Sequence, residues 1–264
     1  MNAPPQSSDE MNTRNRPVLR HGRQISPSEE TLRAHNIVAF DTHDDQSRAF
    51  NLLRTQVLRD IDQTKPYLLG ITSPTPAAGK SFVSINLAAA LSRLAQQTVV
   101  LCDFDLRRGS VFKVLGADAN PGIRNYLMGE TSDLSDVIYR VDDGNLYVIP
   151  CEAQARGSSE LLTSETFGQL IGQLRTLPGG VIVLCDLPPV FASDDALLAA
   201  KHLDAFLMVV EYGRNTATQV KEAMRLLHPL DCAGTILNSY RGGLLDAYGY
   251  GYGDAYGLKN YGAQ

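Results

Sequence analysis

One stretch, residues 66–81, constrains this chain more than any other. It begins with an apolar run that predicts a buried strand, and it ends in Gly79-Lys80-Ser81, which opens a helical pattern. That order of strand, loop and helix is typical of a phosphate-binding loop. Backbone N–H groups at such a helix start attract phosphate, a lysine reaches the terminal phosphates, and a serine hydroxyl can bind Mg²⁺. The sequence therefore predicts a nucleoside triphosphate site.

The match to the phosphate-loop pattern is incomplete. The usual pattern has a glycine where this chain has Pro74, and Ala77 and Ala78 precede the final glycine. The tripeptide Gly79-Lys80-Ser81 alone is also compatible with an ordinary helix start. The interpretation as a nucleotide site therefore depends on the rest of the chain.

Length, charge and cysteine use limit the classes of protein that fit. A chain of 264 residues can hold one α/β domain with tails, and a net charge of −5 argues against a general nucleic-acid binder. We find no apolar segment near the ~20 residues that span a bilayer and no signal-peptide pattern, which predicts a cytoplasmic protein. The four cysteines lack metal-ligand spacing, so we expect reduced, buried thiols.

Apolar runs alternate with helical patterns along the middle of the chain. The predicted strands are 67–72, 98–102, 146–150, 181–185, 205–210 and 233–237. One helix is predicted to begin at residue 45, and four others cover 80–95, 163–177, 194–202 and 216–227. Continuous apolar strands that alternate with helices indicate an α/β fold with a mostly parallel central sheet and helices on both faces.

The two ends of the chain differ in composition from this middle part, which we take as one domain over residues 46–239. Residues 1–45 lack periodicity, so we expect a disordered or loosely docked arm. Residues 240–264 form a tail rich in glycine and tyrosine. Glycine at every second position opposes packing, because its backbone freedom is costly to fix. We therefore expect a mobile tail with exposed tyrosines.

Acidic residues end two of the predicted strands. One strand ends in Asp103-Phe104-Asp105, and another ends in Asp186. Ligands of parallel α/β sheets bind at the carboxyl ends of the strands, and Mg²⁺ prefers oxygen ligands. Each aspartate alone is also compatible with a turn or a helix N-cap. The phosphate loop and both acidic strand ends together favour a nucleotide and Mg²⁺ site.

These motifs together resemble the bacterial tyrosine kinases, and more narrowly the cytoplasmic kinases of capsule and exopolysaccharide export. The resemblance rests on the phosphate loop, the Asp-x-Asp-x-Arg segment 103–107, the Asp-x-Pro-Pro segment 186–189 and the terminal tyrosine cluster. It extends from about residue 50 to residue 238 and resumes in the tail. It implies the P-loop NTPase fold related to partition ATPases.

The resemblance also implies a role for each matching residue. Lys80, Asp103 and Asp105 would be catalytic, with Asp105 orienting or deprotonating the incoming tyrosine hydroxyl. Ser81, Asp103 and Asp186 would hold Mg²⁺. The residues implied to bind ATP are Ala77, Ala78, Gly79, Lys80, Ser81, Phe82, Arg107 and Asn238. The implied phosphate acceptors are Tyr248, Tyr250, Tyr252, Tyr256 and Tyr261.

The same resemblance suggests a biological setting. Members of the family assemble into rings and phosphorylate the tyrosine tail of a neighbouring subunit, which regulates polymer export. A membrane-embedded chain-length partner, or co-polymerase, activates the kinase through its cytoplasmic end, and a tyrosine phosphatase opposes it. We expect that partner to be a separate protein here, and the kinase to be cytoplasmic and peripheral to the inner membrane.

Three departures from the family pattern bear on these expectations. Ala77 adds a Cβ where the loop backbone approaches phosphate, and it restricts positive φ. On the family's assembly helix, only the last of three charged motif positions is kept, because this chain has Arg48, Asn51 and Arg54. Leu187 replaces a small hydroxyl residue.

Two other classes of function stay open at this point. One is a non-catalytic regulator that binds nucleotide weakly and serves as a scaffold or substrate. The other is a spatial-positioning ATPase of the partition or septum-site type. Those ATPases carry a signature lysine where this chain has Thr75, and they lack a tyrosine tail.

Overall fold

The computed structural model describes Leu19 and residues 23–118, 121–152 and 157–240. In these residues eight strands form one sheet. They are β1 (Arg23–Ile25), β2 (Tyr67–Thr72), β3 (Val99–Asp103), β4 (Tyr139–Val141), β5 (Leu146–Ile149), β6 (Ile182–Asp186), β7 (Ala205–Glu211) and β8 (Asp231–Asn238). Their order is β1-β4-β5-β3-β6-β2-β7-β8, and neighbours are parallel except β4 and β5. The predicted α/β class is confirmed.

Helices connect the strands and cover the sheet. They are α1 (Glu29–Ala34), α2 (Ser47–Asp60), α3 (Lys80–Ser92), α4 (Val111–Val114), α5 (Ile123–Leu127), α6 (Ser158–Leu162), α7 (Glu165–Arg175), α8 (Asp195–Ala200) and α9 (Ala217–Leu227), with a 3₁₀ turn at Leu134–Asp136. None of the helices in the described ranges combines the length and hydrophobicity of a membrane span.

The strand residues alternate between two hydrophobic layers, as the period of two in a strand requires. Leu68 and Val100 pack with α5, α7 and α8 on one face of the sheet. Leu69 and Leu101 pack with α2, α3 and α4 on the other face. Because both faces are covered, the central strands are buried and their sequences are continuously apolar.

The strand order brings the chemistry-bearing segments together. β3, β6 and β2 are neighbours, so Asp103, Asp186 and the loop after β2 meet at one edge of the sheet. Asp103 lies directly opposite Asp186 in the parallel register. Helix α3 is buried over residues 83–91, which fixes its N-terminus at this edge.

Residues 23–45 differ from the disordered or loosely docked arm expected for 1–45. They contribute β1, which pairs in parallel with β4, and helix α1. Ile37 and Ala39 are buried, and the Asn86 Oδ1 atom accepts hydrogen bonds from the Val38 and Ala39 N–H groups at 2.9 and 3.0 Å. A three-residue strand and a six-residue helix are too short to give a periodic pattern. The tail at 241–264 lies outside the described residues.

Cys232 contradicts the expectation of four buried thiols. All four cysteines are free, and Cys102, Cys151 and Cys185 are buried, but Cys232 is exposed. Its strand, β8, is the last strand of the sheet and is largely solvent-accessible along its length. An apolar run in the sequence does not distinguish an edge strand from a central one.

Candidate active site

The phosphate loop between β2 and α3 contains two residues with left-handed backbone conformations. Ala77 has φ of +66° and Gly79 has φ of +90°. A Cβ atom added to Gly79 would lie 2.0 Å from the Asn238 Nδ2 atom, so only glycine fits there. The Ala77 conformation costs a non-glycine residue roughly 1–2 kcal/mol. Ala77 therefore holds a backbone conformation that its Cβ disfavours.

Two asparagines, one on β8 and one between β7 and α9, hold this loop in place. The Asn238 Nδ2 atom, at the end of β8, donates to the Ala78 carbonyl oxygen at 2.9 Å. The Asn215 Nδ2 atom donates to Thr75 Oγ1 at 2.7 Å. The loop is therefore anchored at its beginning and just before Gly79.

Lys80 lies among carboxylates at the start of α3. Its Nζ atom donates to Asp105 Oδ2 at 2.9 Å and lies 3.8 Å from Asp186 Oδ2. Burial alone lowers the pKa of Lys80, but the nearby Asp186, Asp105 and Asp103 charges outweigh it, so the pKa is raised. The ammonium group is therefore charged, sheltered and held at the mouth of the loop.

Asp186 accepts hydrogen bonds from two serines of α3. Ser81 Oγ donates to Asp186 Oδ2 at 2.5 Å, and Ser84 Oγ donates to Oδ1 at 3.0 Å. Ser110 Oγ in turn donates to Ser81 Oγ at 3.0 Å. Burial raises the pKa of Asp186, although Lys80 and the two serines act against that shift. The carboxylate thus orients the Ser81 hydroxyl beneath the loop.

Asp103 is fully buried and faces the start of α4. Its Oδ2 atom accepts from the Ser110 and Val111 N–H groups at 2.8 and 3.0 Å. Burial and the neighbouring Asp186 raise the pKa of Asp103 to about 7. These contacts are those of a residue that fixes the turn after β3, one of the roles left open by the sequence.

An open cavity of about 230 Å³ lies over the loop. It is lined by Pro76, Ala77, Gly79, Lys80, Ser81, Phe82, Asp105, Arg108, Ser110 and Pro189. In the described part of the chain no three His, Cys, Asp or Glu side chains are grouped as ligands for a metal ion. The Ser81 hydroxyl and the Asp186 carboxylate are nevertheless oxygen donors that suit Mg²⁺ when phosphate and water complete its shell.

The residues that the sequence predicts for the site take three positions relative to the cavity. Ala77, Gly79, Lys80, Ser81, Phe82 and Asp105 line the cavity, Ala78 and Asn238 support it, and Asp103 and Asp186 are buried beside it. Sequence reasoning missed Arg108 and Ser110, although the paired arginines after Asp105 were a visible signal.

Arg107 stands apart from the cavity. Its Nε atom donates to Asp195 Oδ2 at 2.7 Å and to Ser158 Oγ at 2.9 Å. These partners stand at the starts of α8 and α6. The implied contact between Arg107 and the nucleotide stays a prediction.

Helix α2 corresponds to the helix that the resemblance implies in assembly, and Asn51 and Arg54 on it contact α3 of the same subunit. Asn51 Oδ1 accepts from Arg93 Nη2, and Arg54 Nη1 donates to the Ala90 carbonyl oxygen at 3.0 Å. Both contacts tie α2 to α3. Leu187, the third departure, is buried, and its N–H donates to the Ile71 carbonyl oxygen at 2.9 Å.

No family model matches the chain, but individual proteins do. The tyrosine-protein kinase etk of Escherichia coli K12 is 32% identical over 221 residues, which cover 82% of this chain and 30% of that protein. The tyrosine-protein kinase ptk of Acinetobacter johnsonii is 32% identical over 205 residues, which cover 77% of this chain and 27% of that protein. The chain thus spans less than a third of the length of these relatives.

Comparison with solved structures indicates the same family as these relatives. The kinase domain of Escherichia coli tyrosine kinase ETK aligns with a TM-score of 0.70 and 28% identity, over 94% of this chain and all of that one. The septum-site-determining protein MinD of Pyrococcus horikoshii, complexed with Mg-ADP, aligns with a TM-score of 0.57 and 25% identity, over 67% and 71% of the two chains. The chain belongs to the bacterial tyrosine kinase family.

Proposed function

We propose that the chain is an ATP-dependent protein-tyrosine kinase whose acceptors are the tyrosines of its own C-terminal tail. The observation that supports this most is the contact between Lys80 and Asp105 at the cavity over the phosphate loop. It brings together one group suited to the γ-phosphate and one suited to an acceptor hydroxyl. The names of the relatives and the family resemblance point to the same chemistry.

On the nucleotide side, phosphate would enter the cradle formed by the start of α3. Backbone N–H groups there and the Lys80 ammonium would bind the β- and γ-phosphates, so that Lys80 leaves Asp105. The Ser81 hydroxyl, oriented by Asp186, would hold Mg²⁺ directly or through water. The ion would neutralise charge that develops on the phosphates.

On the acceptor side, departure of Lys80 would free the Asp105 carboxylate. Asp105 would then accept the proton of a tyrosine hydroxyl within hydrogen-bond reach. The tyrosine oxygen would form the new bond to the γ-phosphorus while the bond to the β-phosphate oxygen breaks and ADP leaves. With only 4% of its side chain exposed, Asp105 would act in a sheltered site.

The wider setting rests on the family resemblance. The chain would phosphorylate a neighbouring copy in trans, within a ring or a looser assembly, and would regulate exopolysaccharide or capsule export. A membrane-embedded co-polymerase would activate it and place it at the inner membrane, and a tyrosine phosphatase would reset it. Each phosphate would add about −1.5 to −2 charges to the tail, which would drive subunits apart.

The experiment incubates the purified chain with Mg·ATP, alone and with the cytoplasmic end of the co-polymerase, and maps phosphotyrosine by mass spectrometry. The wild type should acquire phosphate on residues 248–261. Asp105→Asn should still bind ATP but transfer none, because it lacks the base. Absence of phosphate on the wild type in both conditions would contradict the kinase proposal.

The strained Ala77 favours one second candidate, a regulator of the same system that binds nucleotide weakly. In that case ATP affinity would be low, tail phosphate would be absent from the purified chain, and binding to the co-polymerase would persist. The nucleotide titration that accompanies the kinase assay separates the two functions.

A further inference from the structure

The tail carries a regular pattern that a cluster of acceptors does not require. From residue 246 to residue 256 every second position is aspartate or tyrosine: Asp246, Tyr248, Tyr250, Tyr252, Asp254 and Tyr256. An aspartate therefore stands two residues before Tyr248 and two residues before Tyr256. Tyr250 and Tyr252 have a tyrosine at that position, and Tyr261 has Lys259. The five acceptors thus differ in the charge that precedes them.

Arg107 is a cation that does not line the cavity over the phosphate loop. Its Nε–H is shared between Asp195, whose side chain is fully buried, and Ser158. The Nη1 and Nη2 groups make no hydrogen bond to other described residues, and 41% of the side chain is exposed. Since Ser159 Oγ also donates to Asp195 Oδ1 at 2.8 Å, the carboxylate is held on both sides. The guanidinium is therefore held in place through Nε, and its Nη groups are open to another partner.

Arg107 lies outside the cavity over the phosphate loop and two residues after the proposed acceptor base, Asp105. Lys80 and Arg108 line the cavity over the phosphate loop, whereas Arg107 does not. Arg107 follows Asp105 by two residues, and the Asp105 side chain is almost fully buried while Arg107 is at the surface. The chain thus has a buried carboxylate at Asp105 and, two residues later, a partly exposed cation at Arg107.

The difference in depth between Asp105 and Arg107 matches the two-residue spacing of aspartate and tyrosine in the tail. In an extended peptide, residues two apart lie on the same face and are about 7 Å apart. A tyrosine is long enough to put its hydroxyl deep in the site, and an aspartate on the same face remains near the surface. With tyrosine at Asp105, the preceding aspartate would reach the open edge of Arg107, where a guanidinium can bind a carboxylate through two N–H groups.

We propose that Arg107, oriented by Asp195, selects tyrosines that have an aspartate two residues earlier. The inference rests on the proposed kinase function and specifies its substrate. Tyr248 and Tyr256 are then the first acceptors, and Tyr250 and Tyr252 follow more slowly. Tyr261 is the slowest, because Lys259 repels the guanidinium.

Two matched tail variants test the selection without altering the folded domain. Asp246→Asn and Asp254→Asn are each incubated with Mg·ATP, and phosphate at every tyrosine is followed over time by mass spectrometry. Asp246→Asn should slow Tyr248 roughly tenfold and leave Tyr256 unchanged, and Asp254→Asn should do the reverse. Equal rates at all sites in both variants would overturn the selection.

Added peptides then assign the effect to Arg107. Peptides with the sequence of residues 251–259, containing either the native Asp254 or asparagine in its place, are offered to the wild type and to Arg107→Gln. The wild type should show a KM roughly tenfold lower for the aspartate peptide at similar kcat, and Arg107→Gln should treat both alike. If Arg107→Gln does not fold, Arg107→Lys replaces it and should weaken the preference, because lysine keeps the charge but not the paired N–H groups.

The outcomes separate this inference from the function beneath it. Phosphorylation of both peptides with equal KM would leave the kinase intact and refute the role of Arg107. Persistence of the preference in Arg107→Gln would also refute that role. Absence of phosphotyrosine from every peptide and from the tail would refute the kinase proposal, and the selection with it.

Discussion

Lys80 Nζ donates a hydrogen bond to Asp105 Oδ2 at 2.9 Å, so the group suited to phosphate is bound to the group suited to an acceptor hydroxyl. In this arrangement each group is paired with the other rather than with its proposed partner. Phosphate would compete with Asp105 for the ammonium, and binding of nucleotide would then expose the carboxylate. We therefore expect the proposed base to become available only once ATP is bound.

Replacement of Lys80 by methionine should remove both nucleotide binding and phosphoryl transfer. It should also lower the free energy of unfolding by about 3 kcal/mol, because the buried Asp105 and Asp186 lose their shared cation. Isothermal titration with Mg·ATP and denaturant unfolding measure the two effects. Lys65→Met, at an exposed lysine, is the matched control and should change neither. Wild-type ATP affinity in Lys80→Met would refute its role.

Ala77→Gly should stabilise the protein and tighten nucleotide binding. Glycine accepts the φ of +66° without the Cβ strain, which is worth about 1 kcal/mol, and it lets phosphate approach the backbone. Ala78→Gly is the matched control, because Ala78 is buried without a positive φ and should lose about 0.5–1 kcal/mol. Thermal unfolding and ATP titration report both quantities, and a destabilised Ala77→Gly would show that the loop is not strained.

Asp103 should make stability depend on pH in the absence of Mg²⁺ and nucleotide. Its pKa is about 7 in the folded chain and near 3.9 in the unfolded chain. Between these values the folded state binds more protons, so this group's contribution to stability falls as pH rises from about 4 to about 7 and then levels off. Asp103→Asn cannot titrate and should show a flatter profile. Chemical denaturation at several pH values tests this, and identical slopes in both proteins would contradict it.

Asn238→Asp should weaken nucleotide binding although the side chain keeps its size. Aspartate cannot donate to the Ala78 carbonyl oxygen, and an unsatisfied carbonyl costs roughly 1–3 kcal/mol. The loop next to Gly79 would then lose its anchor on β8. Asn238→Ala removes the same donor without adding charge, so the two variants separate loss of the hydrogen bond from repulsion. ATP affinities equal to that of the wild type in both would exclude the anchor.

Much of this site could be predicted from the sequence because its elements are local. The apolar run of β2 is followed directly by Gly79-Lys80-Ser81, and Asp103 and Asp186 each end a continuous apolar strand. Parallel strands place such ends at one edge, so proximity of the carboxylates followed from the fold class.

Other features depend on contacts that no local pattern records. Arg107 is oriented by Asp195, 88 residues later, and Ala78 is held by Asn238, 160 residues later. Residues 38 and 39 are held by the buried amide of Asn86, and Arg93 Nη1 also donates to the Ala39 carbonyl oxygen at 2.7 Å. β1 and β4 have three residues each and gain their stability from the sheet rather than from their own sequence.

The most direct test of the kinase account mixes two variants that cannot phosphorylate their own tails. One carries phenylalanine at Tyr248, Tyr250, Tyr252, Tyr256 and Tyr261 and keeps the intact site. The other is Lys80→Met with an intact tail. With Mg·ATP, the account predicts phosphotyrosine on the tail of Lys80→Met in the mixture, and none when either variant is incubated alone. A tail that stays unmodified in the mixture, while the wild type alone acquires phosphate, would contradict transfer between subunits; no phosphate in any sample would contradict the kinase itself.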